Sequence, residues 1–577
     1  MTEPLDVAPQ PATTAPKRTP TAVDAVAEHY VARLAELSPQ FAVNVGLPGR
    51  RGALDDVSPD GYEALADLRT ATLCELDGVE PGDDVDRVTV AAMRERLGIE
   101  QELADAGEDL RVLNNIDSPV QWVRDLFDIM PTATVGDWED VASALRDVPR
   151  ALDGYLVSLG LARDRGLLPA ARQVRAVIGQ CRDQAEASTS SFEALIAAAA
   201  TADGVPVGDR LAADLRDAGA TAREAYAHTA TALERDALPG ALEDDAVGAE
   251  RYERFSRLFL GARVDLDETY EWGRALLADV DAQQRRTAQE LYGPGTSVRE
   301  ALERLSADPA RTVHGTRALQ EWMQATSDEA VAALDGVHFD LPAELRRLEC
   351  RIAPSQTGGI YYTGPSDDFS RPGRMWWSVP AGTEDFATWQ ERTTVFHEGV
   401  PGHHLQIGLQ TWLRGELNSW RRLACWVSGH GEGWALYAER LMADLGFQDD
   451  PADRMGMLDS QRLRAARVVL DIGVHLGKER PVELADLPGV GPGRWDAASA
   501  WVFLRHQVAM EESFLRFELD RYLGWPGQAP SYSIGQRLWE EARDEARARG
   551  EGLKDFHMRA LRLGSVGLDV MREALAG

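Results

Sequence analysis

The sequence predicts a mainly α-helical protein with one small β-sheet, and three observations carry that expectation. Long stretches rich in Ala, Leu, Arg and Glu, all good helix formers, place apolar residues at helical spacing. Short turns separate them, such as PGDD at 81–84, GVP at 204–206 and LPG at 238–240. Between residues 350 and 380 the composition shifts to Gly, Pro, Ser, Tyr and Trp, the signature of short strands and turns.

Taken in order, residues 1–20 are rich in Pro, Thr and Ala and read as a disordered lead without the apolar core of a signal peptide. Helices are expected at 24–37, 61–76, 85–106, 141–163, 169–199, 210–235, 250–259, 267–292, 297–305 and 313–334. Residues 41–54 read as a loop, and 114–119 (NNIDSP) as a polar loop, on the surface or else lining a cleft. No fixed-period repeat is present, which argues against a solenoid. Residues 21–345 are expected to form a helical half that walls a cleft over a catalytic half, 346–577, the two making one compact unit. Strands are expected at 359–363 (GIYYT) and 374–379 (RMWWSV). One of them would hold an extended substrate by strand addition, with Tyr362 and Trp376 touching it; a simple hydrophobic hairpin is the alternative. Arg371 between them has the fork geometry to grip a substrate carboxylate. Thr383 is expected to cap the next helix, with Glu384 and Asp385 in its first turn. Further helices are expected at 432–446, 454–476, 497–522, 534–549 and 553–576.

The whole chain narrows the function classes. Its 61 basic and 94 acidic residues give a net charge of -33, which argues against nucleic acid and anionic membrane surfaces as partners. The four cysteines, Cys74, Cys181, Cys350 and Cys425, are scattered and suggest neither a disulfide framework nor a cysteine zinc site. No apolar run reaches the ~18 residues a membrane span needs. A cytoplasmic protein acting on a small substrate is the expectation, and the oligomeric state is not specified.

Chemistry concentrates in one place. Five of the eleven histidines lie between His397 and His475, and residues 395–404 read VFHEGVPGHH. The ordinary zinc-hydrolase helix carries H-E-x-x-H, with both histidines on one face and the Glu acting as base. Here Pro401 stands where the second His belongs. In a regular helix of about 100° per residue, His404 faces the same way as His397 and His403 points away. Pro401 and Gly402 must disturb that helix, and a bulge of one or two residues would bring His403 round instead. The third ligand is Glu432, in a stretch reading GHGEGWALYAE at 429–439. A loop and a returning antiparallel helix would set it opposite His397. Two His and one Glu with an open fourth position form a catalytic zinc set.

HEGVPGHHLQ followed by GEGWALYAE resembles the bacterial family catalogued as domain of unknown function 885, regarded as related to the zincin metallopeptidases. The resemblance rests on His397, Glu398, Pro401, Gly402 and His403, then on Glu432, Gly433, Trp434, Ala435, Tyr437 and Glu439. Residues 371–377 (RPGRMWW), 471–475 (DIGVH) and 526–535 (PGQAPSYSIG) are similar to further family segments, so the likeness covers about residues 25–575. It favours His403 over His404 and implies a gluzincin-type fold holding one zinc ion per chain. Glu398 would be the general base. Glu439 would hydrogen-bond a ligand His. His404 and His430 would flank the site. Asp471 and His475, four apart on one helix, would pair, leaving His475 or Tyr532 to stabilise the oxyanion. The reaction expected is hydrolysis of short peptides or peptide-like amides. A non-peptide amide or ester substrate, a two-His-one-carboxylate iron oxygenase and a binding protein with a vestigial site are the rival readings.

Overall fold

The computed structural model describes residues 17–353 and 359–577; most of the expected disordered lead therefore lies outside the described residues. Its last part does not. Arg18 pairs with Asp24, Asp83 and Asp86, so the folded chain begins before residue 20.

Helices dominate. The first half runs through Ala22–Leu37, Pro59–Asp77, Asp84–Asp105, Val135–Asp164, Ala171–Ala185, Asp209–Ala232 and Leu266–Tyr292. Pro39–Asn44 is a short helix where a loop was expected, and Pro119–Ile129 is a helix the pattern did not announce. The NNIDSP segment is buried, not on the surface. Asn115 N–H donates to Gln173 and Gln180 donates to the Asn115 carbonyl, so neighbouring helices satisfy its polar groups.

Among the described residues, five short strands form two sheets: β1 (Thr312–His314), β2 (Leu348–Ile352), β3 (Ile360–Thr363), β4 (Gly373–Trp377) and β5 (Asp385–Ala387). β1 pairs with β5 antiparallel. The larger sheet has the order β2-β4-β3, with β4 parallel to β2 and antiparallel to β3. This corrects two expectations. β4 is central, paired on both sides, so only β3 of the two strands in question has an edge to offer a substrate. The segment around Thr383 does not cap the next helix: Asp385 belongs to β5, which runs straight into the helix Thr388–Glu398 behind Ala387.

The second half continues with His403–Trp412, Ser428–Asp444, Pro451–His475, Ala497–Gln507, Glu512–Gly524, Ser531–Ala548, Leu553–Leu561 and Leu568–Ala576. Pro451–His475 runs through the middle of this half. Gly456 abuts the Trp389 carbonyl of Thr388–Glu398, and a Cβ at Gly273 of Leu266–Tyr292 would press on Val468.

The cores do not respect a boundary at residue 345. One core joins Val23, Tyr30 and Leu97 to Phe396, Leu405, Trp434, Trp539 and Leu568. A second, built on Leu145, Tyr155, Val174 and Tyr226, belongs to the first half alone. A third surrounds Val468 and Ile472 and takes in Tyr252 and Tyr270.

Candidate metal centre

Three helices converge on one point. His397 and Glu398 close the helix Thr388–Glu398, His403 opens His403–Trp412, and Glu432 lies in the first turns of Ser428–Asp444. The helix carrying His397 does not bulge; it breaks. Residues 399–402 leave helical geometry, and the chain turns on hydrogen bonds from Gly402 N–H to the Phe396 carbonyl and from His404 N–H to the Gly399 carbonyl. Glycine is required at 402, because a Cβ there would run into the carbonyl oxygen of His397. The Trp434 indole N–H donates to the Pro401 carbonyl at 2.8 Å, which ties the break to the Glu432 helix.

As a result one ligand atom each from His397, His403 and Glu432 lies within 4.8 Å of the others. Glu432 Oε2 is 3.4 Å from His397 Nε2 and 3.6 Å from His403 Nε2. His397 Nδ1–H donates to Glu439 Oε1 at 2.8 Å, leaving Nε2 turned to the cluster. Glu439 is itself held by Thr393 Oγ1 at 2.5 Å. Burial opposes a charge on His397, but its hydrogen bonds to Glu432 and Glu439 outweigh that and raise its pKa to about 10. Burial likewise works against the Glu432 carboxylate, and its hydrogen bonds with His397 and His403 overcome it and lower its pKa. Glu398 is buried beside them; desolvation raises its pKa, opposed by His403 and His397. The cluster is thus a buried, carboxylate-rich place that holds positive charge.

Tyr532 lies close enough to the cluster to feel the Glu432 charge. It sits in the first turn of Ser531–Ala548. Burial, then the nearby Glu432 charge, raise its pKa, so its hydroxyl stays a donor. The Arg467 guanidinium lies 5.2 Å from its ring centre. Glycines make the approach possible: a Cβ at Gly433 would come 2.6 Å from Gly535 Cα, and one at Gly535 would strike the Gly429 carbonyl. The Ser428 and Ser531 hydroxyls bridge the same crossing at 2.9 Å.

The other expected residues lie elsewhere or act differently. His404 turns away from the cluster. Its Nε2–H donates to the Leu345 carbonyl and its Nδ1 accepts from the Tyr362 hydroxyl, both at 2.9 Å. Tyr362 is thereby committed inward, and the exposed aromatic surface of the sheet is Tyr361, 41% exposed and stacked on Trp376. His430 accepts from Gln406 at 3.1 Å and packs on Trp539, with burial lowering its pKa to about 3. Asp471 and His475 do not pair. Asp471 accepts from the Tyr252 hydroxyl and Gly527 N–H, while His475 donates to the Tyr522 carbonyl and is fully buried. His475 therefore has no face to present to a substrate. Arg371 donates to the Pro372 carbonyl and has no carboxylate partner among the described residues. Two neighbours of the centre escaped the sequence reading, Arg467 and Trp426. Arg467 is set against Tyr532 by a helix distant in sequence from the cluster, and Trp426, six residues before Glu432, belongs to no motif that signals its place.

A family model described as bacterial protein of unknown function (DUF885) matches residues 39–575. No curated protein matches the chain. Among solved structures, a Colwellia psychrerythraea protein provisionally termed a lipoprotein superposes with a TM-score of 0.80 at 20% identity, covering 96% of this chain and 98% of that one. A Shewanella oneidensis protein of unknown function, likewise provisionally termed a lipoprotein, superposes with a TM-score of 0.72 at 16% identity, covering 97% and 100%. At these identities the likeness shows the fold.

Proposed function

The chain belongs to the bacterial DUF885 family, and from that premise we propose that it is a zinc-dependent hydrolase of gluzincin type, cleaving short peptides or peptide-like amides. The observation that carries this reading is the donor set. An ideal tetrahedron with ligand bonds of about 2.05 Å has edges of ~3.3 Å, and Glu432 Oε2 stands 3.4 and 3.6 Å from the two imidazole nitrogens. His397, His403 and Glu432 would hold one zinc ion per chain, leaving a fourth position open. Bound there, zinc supplies Lewis-acid polarisation of a carbonyl and a water acidic enough to ionise near neutrality.

The chain's own residues divide the remaining work. Glu398 takes the proton from the attacking water and returns it to the leaving amine. Tyr532 donates its hydroxyl hydrogen to the carbonyl oxygen as charge grows on it. Arg467, over the ring of Tyr532, fixes that side chain's position. Glu439 holds His397 in the tautomer that leaves Nε2 free. Glu398 also distinguishes this reading from an iron oxygenase with the same ligand types, which needs no such base. Arg371, without an ion-pair partner among the described residues, suits a substrate carboxylate.

The test is turnover of a short-peptide library by the zinc-loaded protein. Glu398→Gln is expected to lose about 10²–10⁴-fold in kcat and Tyr532→Phe about 10²–10³-fold, both with zinc retained. Turnover unchanged in Glu398→Gln would contradict the reading.

A further inference from the structure

Trp426 is the only one of the fifteen tryptophans that is exposed among the described residues, at 49%. Large aromatic rings are left in water at a cost in unburied apolar surface. This one stands beside the candidate metal centre. Its ring centre is 6.4 Å from that of His403, tilted by 54°. Its other edge lies over Gly431, the residue before Glu432, where a Cβ would come 2.6 Å from Cζ2 and closer still to Cη2. The indole thus borders two of the three ligand-bearing segments at once. Its place is built: Cys425 N–H donates to the Trp420 carbonyl and Val427 N–H to Ser565 Oγ, fixing the chain on both sides of it. Gly431 gives the ring room that any other residue would take.

We propose that Trp426 is a specificity-determining residue, the wall of a subsite that receives an apolar or aromatic side chain next to the scissile bond. The inference rests on the zinc-hydrolase reading above and names the substrate class it would select. A substrate held at the ligand cluster has its neighbouring side chain within reach of this indole face. Ring-on-ring contact there is worth about 0.5–1.5 kcal/mol beyond area burial, which corresponds to roughly 2–12-fold in affinity. A small side chain such as glycine's gains nothing from it. The contacts that define Trp426 are with the His403 ring and Gly431, and its part is in choosing the substrate.

The experiment compares two metal-directed probes, L-phenylalanine hydroxamate and glycine hydroxamate, by calorimetric titration of the zinc-loaded full chain. Wild type is expected to bind the phenylalanine probe more tightly than the glycine probe. Trp426→Ala is expected to lose about 2–12-fold for the first and little for the second, with zinc content and Tm unchanged, and Trp426→Phe is expected to restore most of the preference. An equal preference in wild type and Trp426→Ala, with zinc in place, overturns this inference alone. Failure of wild type to take up zinc overturns it together with the metal reading.

Discussion

A histidine can ligate a metal only through a nitrogen that nothing else has taken. His404 has none, because Tyr362 and the Leu345 carbonyl occupy both, whereas His397 gives only Nδ1 to Glu439 and turns Nε2 to Glu432 in the cluster. Periodicity alone pointed to His404, since it counts residues around an ideal helix and has no access to where the helix stops. His397, Glu398, Glu432 and Glu439 were legible because each stands at a short, fixed spacing from another site residue. Asp471 and His475 were misread for the opposite reason: four residues apart on one helix, they answer to Tyr252, Gly527 and Tyr522 from other elements. Asp471 makes a pH prediction. Burial raises its pKa to about 7, against hydrogen bonds from Tyr252 and Gly527. The fold therefore prefers the protonated carboxyl. That contribution to stability is complete below the unfolded value of about 3.9 and is lost as pH rises through 7, at up to about 1.4 kcal/mol per pH unit. Asp471→Asn, neutral at every pH, should gain in Tm relative to wild type between pH 5 and pH 8 in calorimetry. A constant difference would contradict the assignment.

At the scale of elements, the break at residues 399–402 does what the expected bulge was invoked to do: it brings His403 beside His397. The irregularity was readable from Pro401 and Gly402, but its form was not, because it depends on Trp434 holding the Pro401 carbonyl. Gly402→Ala places a methyl group against the His397 carbonyl. It should cost about 1–3 kcal/mol of stability and lower zinc affinity in the same protein. An alanine variant with wild-type Tm and zinc content would show that the turn has slack. Helix identities were mostly legible from apolar spacing, while their ends were not. The expected helix at 497–522 is two, Ala497–Gln507 and Glu512–Gly524, and the stretch around Thr383 feeds a strand, since pairing with β1 outweighs local capping chemistry.

The whole molecule is less divisible than two halves suggest. The core that includes Phe396, Trp434 and Trp539 is completed by Val23, Tyr30 and Leu97 from the first helices. Sequence pattern shows which residues are apolar, not which distant ones share a core; the stretches on either side of residue 345 were expected to make one compact unit, and this core draws on both. Residues 346–577 expressed alone should therefore show no cooperative thermal transition; a sharp one would contradict the shared core. The central claim is that His397, His403 and Glu432 hold one metal ion. Its most direct test is elemental mass spectrometry of the purified full chain beside four variants. About one zinc per chain, lost in His397→Ala, His403→Ala and Glu432→Ala but kept in His404→Ala, is the predicted result. No bound metal after zinc addition, or zinc retained in all four variants, would contradict it.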